Sequence, residues 1–338
     1  MTTPPLEAVL EGSHVVRLPM RLRFRGVDVR EAVLLVGPGG WGEFSPFVEY
    51  EDAEAQAWLA SAIDSAWSAW PTPRRDHVPV NATVPAVRPD QVAGVLARFD
   101  GCRTAKVKVA EPGQGLADDV ARVAEVRRLL GPSGRVRADA NGAWSVDDAV
   151  AALTALARHD LEYAEQPCRS VPELAELRAR LARAGVDVPV AADESIRKAG
   201  DPFAVAAAGA ADVAVVKVAP LGGVRRTVEV AEVLRREHGL PVVVSSALDS
   251  AVGIAAGLAA AAALEELPFA CGLATGGLLA DDVATRPGPA RGGRLPVGRV
   301  APDDERLDRL AAPPARREWW LDRVARCHAL LTGGGSPA

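Results

Sequence analysis

Thr104-Ala105-Lys106-Val107-Lys108-Val109 sets two lysines two residues apart within a β-branched run. Side chains alternate along a strand, so Lys106 and Lys108 leave the same face about 6.5–7 Å apart. Like-charge repulsion and partial burial each lower a lysine pKa, and a lysine brought to about 7–8 acts as a general base at neutral pH. A solvated edge strand carrying two positive charges has the same spacing, so the neighbouring segments decide between the two.

From residue 78 the chain alternates short apolar runs with segments rich in Ala, Leu and Arg. Eight runs have strand character, at residues 78–83, 103–109, 136–139, 163–165, 188–193, 213–218, 241–246 and 269–273. Helical patterns lie between them, including residues 116–130, 146–158, 171–184, 203–208 and 224–238. Near-continuously apolar strands separated by helices imply an α/β fold with a parallel sheet covered on its outer face. Eight repeats in succession imply closure into a TIM-type β/α barrel. A doubly wound open sheet is the alternative.

The flanks read differently. Residues 14–18, 21–24 and 31–36 have strand patterns, and Gly37-Pro38-Gly39-Gly40 reads as a turn, which together make a small antiparallel sheet. The glycines near Trp41-Gly42-Glu43-Phe44-Ser45-Pro46-Phe47 lack both GK[ST] and GxGxxG, which argues against a nucleotide loop. Residues 52–70 form a helical pattern whose Trp58, Ile63, Trp67 and Trp70 fall near helical spacing and read as core. Pro71-Thr72-Pro73 breaks the chain. From Thr285 the tail is rich in Pro, Gly and Arg and ends in a helical stretch, 316–331, expected to pack back on the N-terminal sheet. The expected division is 1–75, 76–284 and 285–338, with the first and last segments together.

With 338 residues, 49% of them hydrophobic, the chain can bury a large core. Its net charge of −5, from 39 Lys and Arg against 44 Asp and Glu mixed throughout, argues against nucleic acid or a membrane surface and points to a small-molecule partner. Cys102, Cys168, Cys271 and Cys327 are scattered without a CxxC pair, which suggests neither a disulfide framework nor a thiolate metal site and fits a reducing cytoplasm. MTTPPLEAVLEG lacks a basic stretch followed by an apolar core, so no secretory signal is expected. The apolar run at 251–264 is too short and too rich in Ala and Gly to span a bilayer. His14, His77, His159, His238 and His328 fall outside the expected strand ends and read as surface or capping residues.

Ionisable residues recur at the C-terminal ends of the strands, where barrel enzymes build their sites. After Lys108 come Asp139 in Arg135-Val136-Arg137-Ala138-Asp139-Ala140-Asn141, Glu165 before Gln166-Pro167, Asp193 before Glu194-Ser195, and Lys217. Each follows the last by about one β/α unit, so five charged groups are expected at one mouth. Three carboxylates cannot share a mouth ionised without a cation, and hard oxygen ligands suit Mg²⁺, with Mn²⁺ as a substitute, better than zinc. An acid capping each following helix explains one such residue but poorly explains three at matching positions. A cation flanked by lysines of the second and sixth strands suits removal of a proton next to a carboxylate.

TxKxK with Lys106 and Lys108, DANGAW with Asp139, EQP with Glu165, ADES with Asp193 and the strand-ending Lys217 resemble the enolase superfamily, muconate-lactonising subgroup. The likeness covers nearly the whole chain. It implies a modified barrel, (β/α)7β, with an α+β capping domain built from the N- and C-terminal segments, Gly40-Trp41-Gly42-Glu43 included, whose loop near residues 18–25 helps set specificity. It further implies Mg²⁺ on Asp139, Glu165 and Asp193, Lys108 as base and then acid in a syn elimination, Lys217 as a stabilising cation, and Lys106 tuning Lys108. GWGEFSPF, Arg137 and Val244-Ser245-Ser246 resemble a dehydratase branch acting on a succinyl-bearing cyclohexadiene carboxylate. On that likeness Arg137, Ser245, Ser246 and the backbone near Gly272 meet the substrate, while Asn141 and Glu194 orient other groups. The same lysines and metal also suit a racemase of N-succinylamino acids or a cycloisomerase. A dipeptide epimerase would carry an acid on the eighth strand, and Cys271-Gly272-Leu273-Ala274-Thr275 has none. A barrel kept only as a binding scaffold would have lost a ligand or a lysine, and none is lost.

Overall fold

The computed structural model describes residues 3–24, 26–196 and 201–333. Arg25, which ends the expected specificity loop, and residues 334–338 of the expected C-terminal segment lie outside the described residues.

A short helix α1 (Leu6–Leu10) leads into β1 (His14–Phe24), β2 (Val27–Gly37) and β3 (Gly40–Phe44), an antiparallel sheet in that order. Alternation along the strands sends Val15, Val33 and Leu35 into the main core, while Val16, Leu18 and Leu34 pack with Ala251 and Val252. Both faces are therefore buried. Helix α2 (Asp52–Trp67) lays Trp58, Leu59, Ala62, Ile63 and Ala66 into the core, and it approaches β3 so closely that a Cβ on Gly42 would overlap the Ala62 carbonyl. The helix ends at Trp67, three residues earlier than its pattern suggests. Arg299 donates to the carbonyls of Ser65 and Ser68 at the helix end and stacks 4.1 Å from the Trp70 ring, which lies beyond the helix.

The chain then forms β4 (His77–Pro79), β5 (Ala82–Val84), β6 (Thr104–Lys108), β7 (Arg135–Asp139), β8 (Leu161–Glu165), β9 (Val190–Ala192), β10 (Val213–Lys217) and β11 (Val242–Ser245). Strands β5 to β11 lie side by side in chain order and are parallel. Helices α3 (Val92–Leu96), α4 (Leu116–Leu130), α5 (Val146–Leu156), α6 (Val171–Ala184), α7 (Asp201–Ala207), α8 (Val218–Leu221), α9 (Val224–His238) and α10 (Ala251–Ala263) fall between and after them. The tail adds β12 (Arg294–Pro296), α11 (Asp304–Arg309) and α12 (Pro314–Thr332).

The strands expected at 14–18 and 21–24 are one strand, β1, and two strands of the barrel also depart from their sequence patterns. The first, expected over 78–83, is split: β4 pairs antiparallel with β12, and pairing with β6 begins at Ala82. Pro79 has no N–H to give a ladder, and the Val80 N–H goes to Gly293 of the tail. The eighth, expected over 269–273, shrinks to bridges from Cys271 to Val80 and from Gly272 to Ser245. Those two residues still close the barrel. Cys271 donates to Pro79 O (2.7 Å) and accepts from Asn81 N (3.0 Å), while Gly272 donates to Val244 O (2.9 Å) and accepts from Ser246 N (3.1 Å). Among the described residues no α-helix follows Gly272 until Asp304, so the barrel is of the (β/α)7β type.

Sheet, barrel and tail are tied by buried polar groups. Glu43 on β3 accepts from the N–H groups of Ser250 (3.1 Å) and Gly253 (2.9 Å) and from Ser250 Oγ (2.5 Å), at the N-terminal end of α10. A carboxylate there satisfies donors the helix leaves unpaired. Val16 bridges Ala311, and Trp320 of α12 donates to Glu31 (3.0 Å). His328, read as a surface or capping residue, is buried on α12 within 2.8 Å of Pro4 O. Among the described residues no helix is long and apolar enough to cross a membrane.

Candidate active site

Parallel register brings the charged strand ends into one row. Lys108 pairs with Asp139 and Asp139 with Glu165, and Asp193 follows the end of β9. Asp139, Glu165 and Asp193 are 0%, 1% and 4% exposed, and Lys106 and Lys108 are buried beside them. Lys106 Nζ lies 2.6 Å from Glu165 Oε1 and 3.0 Å from Asp139 Oδ2. Lys108 Nζ bonds Asp139 Oδ2 and lies 2.7 Å from Asn141 Oδ1. Lys217 Nζ lies 2.6 Å from Asp193. Among the described residues no group of three or more His, Cys, Asp or Glu side chains is arranged to hold a metal ion. Each of the three carboxylates is instead turned on to an ammonium.

The charges follow from that pairing. Burial works against the Lys106 ammonium, but the carboxylates of Asp139, Glu165 and Asp193 outweigh it and hold its pKa well above the ordinary lysine value. The lowering expected from the two adjacent lysines is therefore absent at Lys106, because three acids face it. Burial also opposes ionisation of Asp139 and Asp193. Lys106 and Lys108 overcome it at Asp139, and Lys217 and Lys106 at Asp193, so both carboxyls lie below the usual range. Glu165 goes the other way: burial, and then the neighbouring Asp139, push it up to about 8.

The backbone around these groups is pinned from outside the barrel. Arg122 and Asp119 of α4 form a buried pair (2.9 Å). Arg122 donates to Lys108 O (2.8 Å), and Asp119 accepts from Ala110 N (2.9 Å), holding a residue whose φ is +58°. Asn141, at φ +49°, donates through Nδ2 to Glu194 Oε1 (3.0 Å), so Lys108, Asn141 and Glu194 form a chain.

A chamber of about 30 Å³ opens on Lys106, Lys108, Asp193 and Lys217, and Ser245, Ser246 and Gly272 line its far wall. Ser246 Oγ lies 3.0 Å from Gly272 O and 2.7 Å from Thr275 Oγ1. A Cβ on Gly272 would collide with the Ser245 hydroxyl. Phe24, Thr83, Leu248 and Thr275 line the chamber too and were not singled out from the sequence. Thr83 pairs with Lys106 across β5 and β6, so its parity would have found it. Phe24 lies in the 18–25 segment expected to help set specificity: it arrives from β1, and its ring lies 5.2 Å from Lys108 Nζ.

Arg137 is not brought to this chamber. It shares the face of Asp139 but lies one pleat repeat, about 6.7 Å, deeper in the barrel. There it is 1% exposed, donates to Glu162 (2.6 Å), Asn81 (3.0 Å) and Ala270 O (2.8 Å), and stacks 4.6 Å from the Tyr163 ring. A larger cavity of about 930 Å³, between Met20, Phe99, Ile254 and Pro287, includes none of the site lysines or acids.

Residues 90–303 match the family described as enolase C-terminal domain-like, and residues 15–66 the one described as enolase N-terminal domain-like. The chain is 62% identical to the o-succinylbenzoate synthase of Mycobacterium tuberculosis strain H37Rv, over 97% of each chain. It is 61% identical to that of Mycolicibacterium smegmatis, over 97% of this chain and 98% of the relative. Among solved structures it resembles a muconate lactonizing enzyme from Pseudomonas fluorescens (TM-score 0.76, 24% identity) and one from Pseudomonas putida (0.74, 22%), each over 89% of this chain and 98% of the other. At that identity the likeness is one of fold.

Proposed function

Since the chain belongs to the o-succinylbenzoate synthase family of the enolase superfamily, and is a lyase of the dehydratase type, we propose that it dehydrates 2-succinyl-6-hydroxy-2,4-cyclohexadiene-1-carboxylate to 2-succinylbenzoate, a step of menaquinone biosynthesis in the cytoplasm. The observation that carries this reading is that Lys108 bonds Asp139 and Lys217 bonds Asp193 at neighbouring strand ends, with both lysines and Asp193 facing one chamber. In this reading residues 1–75 and 285–338 cap a barrel formed by 76–284.

The donor set fits a divalent cation. Its members are oxygen ligands from three consecutive strands, nearly sealed from water, and the rise of Glu165 to about 8 beside Asp139 marks acids that need more positive charge than they have. Asp139, Glu165 and Asp193 would hold Mg²⁺. When bound, Mg²⁺ neutralises the negative charge that develops on the substrate carboxylate as its α-proton leaves.

The chain's own groups supply the proton transfers. Lys108 Nζ, oriented by Asn141 Oδ1, removes the α-proton once it is in the amine form. The same Nζ returns that proton to the departing hydroxyl, which gives syn elimination of water. Lys217 reaches the chamber from β10, four strands away from β6, and stays cationic against the developing charge. Lys106, bonded to Glu165 and Asp139, keeps a positive charge beside Lys108. The chamber has room for about one water, so it widens to admit the substrate. The test is turnover of this diene with purified protein, with Mg²⁺ and with EDTA, beside polarimetry on N-succinylamino acids.

A further inference from the structure

Gln166 follows Glu165 directly and is 0% exposed, yet it sits in the left-handed region at φ +38°. A buried non-glycine residue holds that conformation only when its surroundings over-determine it. Here they do. Its backbone N–H goes to Ala191 O (2.7 Å), and its carbonyl accepts from Gly142 N (2.6 Å). Its side-chain Oε1 accepts from the N–H groups of Asp193 (2.9 Å) and Ser195 (3.2 Å). Its Nε2 donates to Cys168 O (2.9 Å) and Ser195 Oγ (2.8 Å).

These bonds stand just beyond a short ladder. The β8–β9 ladder ends at Glu165 and Ala191, two residues before Asp193. Beyond that point the Asp193 N–H is met by the Gln166 side chain. We propose that Gln166 is the positioning residue that fixes Glu165 relative to Asp193, so that both carboxylates can serve one cation; this rests on the metal reading of those two acids. The amide is matched to the task because it must accept from two N–H groups and donate to a carbonyl and a hydroxyl at once. Glutamate keeps only the accepting half, and methionine keeps the length without either.

The test compares the full-length parent with Gln166→Met and Gln166→Glu, by calorimetric titration with Mg²⁺, by the Mg²⁺-induced rise in unfolding temperature, and by kcat and KM. Gln166→Met is expected to weaken Mg²⁺ binding about 10–100-fold and to lower kcat similarly, with a smaller change in KM. Gln166→Glu is expected to fall between Met and the parent, because its carboxylate still accepts from Asp193 and Ser195. If Gln166→Met does not fold, the same intermediate loss in Gln166→Glu upholds the assignment, and parent-like Mg²⁺ binding in Gln166→Glu overturns it. A folded Gln166→Met that binds Mg²⁺ like the parent also overturns it. A parent that binds no Mg²⁺ overturns the metal reading and this assignment together, an outcome separate from a parent that binds it and a variant that binds it equally well.

Discussion

Lys106 Nζ stands 2.6 Å from Glu165 Oε1 and 3.0 Å from Asp139 Oδ2, so the lysine that the sequence pairs with Lys108 serves as counter-ion to Asp139, whose carboxyl it holds below the usual range. Removing one partner of a buried ion pair leaves the other uncompensated, at a cost of about 3–5 kcal/mol. Lys106→Met should therefore lower the unfolding temperature in EDTA, and added Mg²⁺ should raise it by more than in the parent, since the cation then replaces the lost ammonium. Thermal unfolding with and without Mg²⁺ checks this. Equal midpoints for parent and variant in EDTA would show that the pair carries no such weight.

Arg137 should affect folding rather than substrate binding. Its guanidinium fills the barrel below the acids and neutralises the part-buried Glu162. Arg137→Ala is expected to cost about 3–5 kcal/mol in urea unfolding, while the folded fraction keeps its KM. A raised KM at unchanged stability would return Arg137 to the substrate.

Asp282 should give stability a pH dependence of its own. Burial, and further the Glu43 carboxylate, push its carboxyl up to about 7, while its Oδ1 accepts from Ala251 N (3.1 Å) and Val283 N (2.7 Å). The folded chain thus holds a proton that the unfolded chain releases near pH 4. That contribution is full below about pH 4 and is lost as pH rises through about 7. Asp282→Asn keeps the accepting oxygen and stays neutral. Its advantage over the parent in urea unfolding should grow between pH 4 and pH 7, to on the order of 1–3 kcal/mol at pH 8. A difference that stays flat over that range would contradict the assignment.

The sequence announced what is periodic and local. The strand-end acids were legible because each closes an apolar run about one β/α unit after the last, and alternation alone put Lys106 and Lys108 on one face. Arg137 shares that parity, and parity says nothing about depth, so one pleat repeat separated it from the chamber. The split of the first strand was hidden because it depends on the distant Gly293 and β12. The 18–25 segment was legible as a specificity element, but the particular contacts of Phe24 with Lys108 and of Glu43 with the start of α10 were not, because they join segments far apart in the chain. At Lys106 alone the expected lowering fails, because two neighbouring lysines are visible in one strand, whereas the three acids that face Lys106 come from three others.

Turnover of 2-succinyl-6-hydroxy-2,4-cyclohexadiene-1-carboxylate, with Mg²⁺ and with EDTA, for the parent, Lys108→Ala and Lys217→Ala tests the central claim most directly. The expected result is fast dehydration by the parent that EDTA abolishes and Mg²⁺ restores, with kcat lower by about 10²–10⁴-fold in Lys108→Ala and strongly reduced in Lys217→Ala. If the diene is untouched while N-succinylamino acids racemise, the chamber does proton transfer at a different substrate. Dehydration at the parent rate without Lys108 would contradict the account outright.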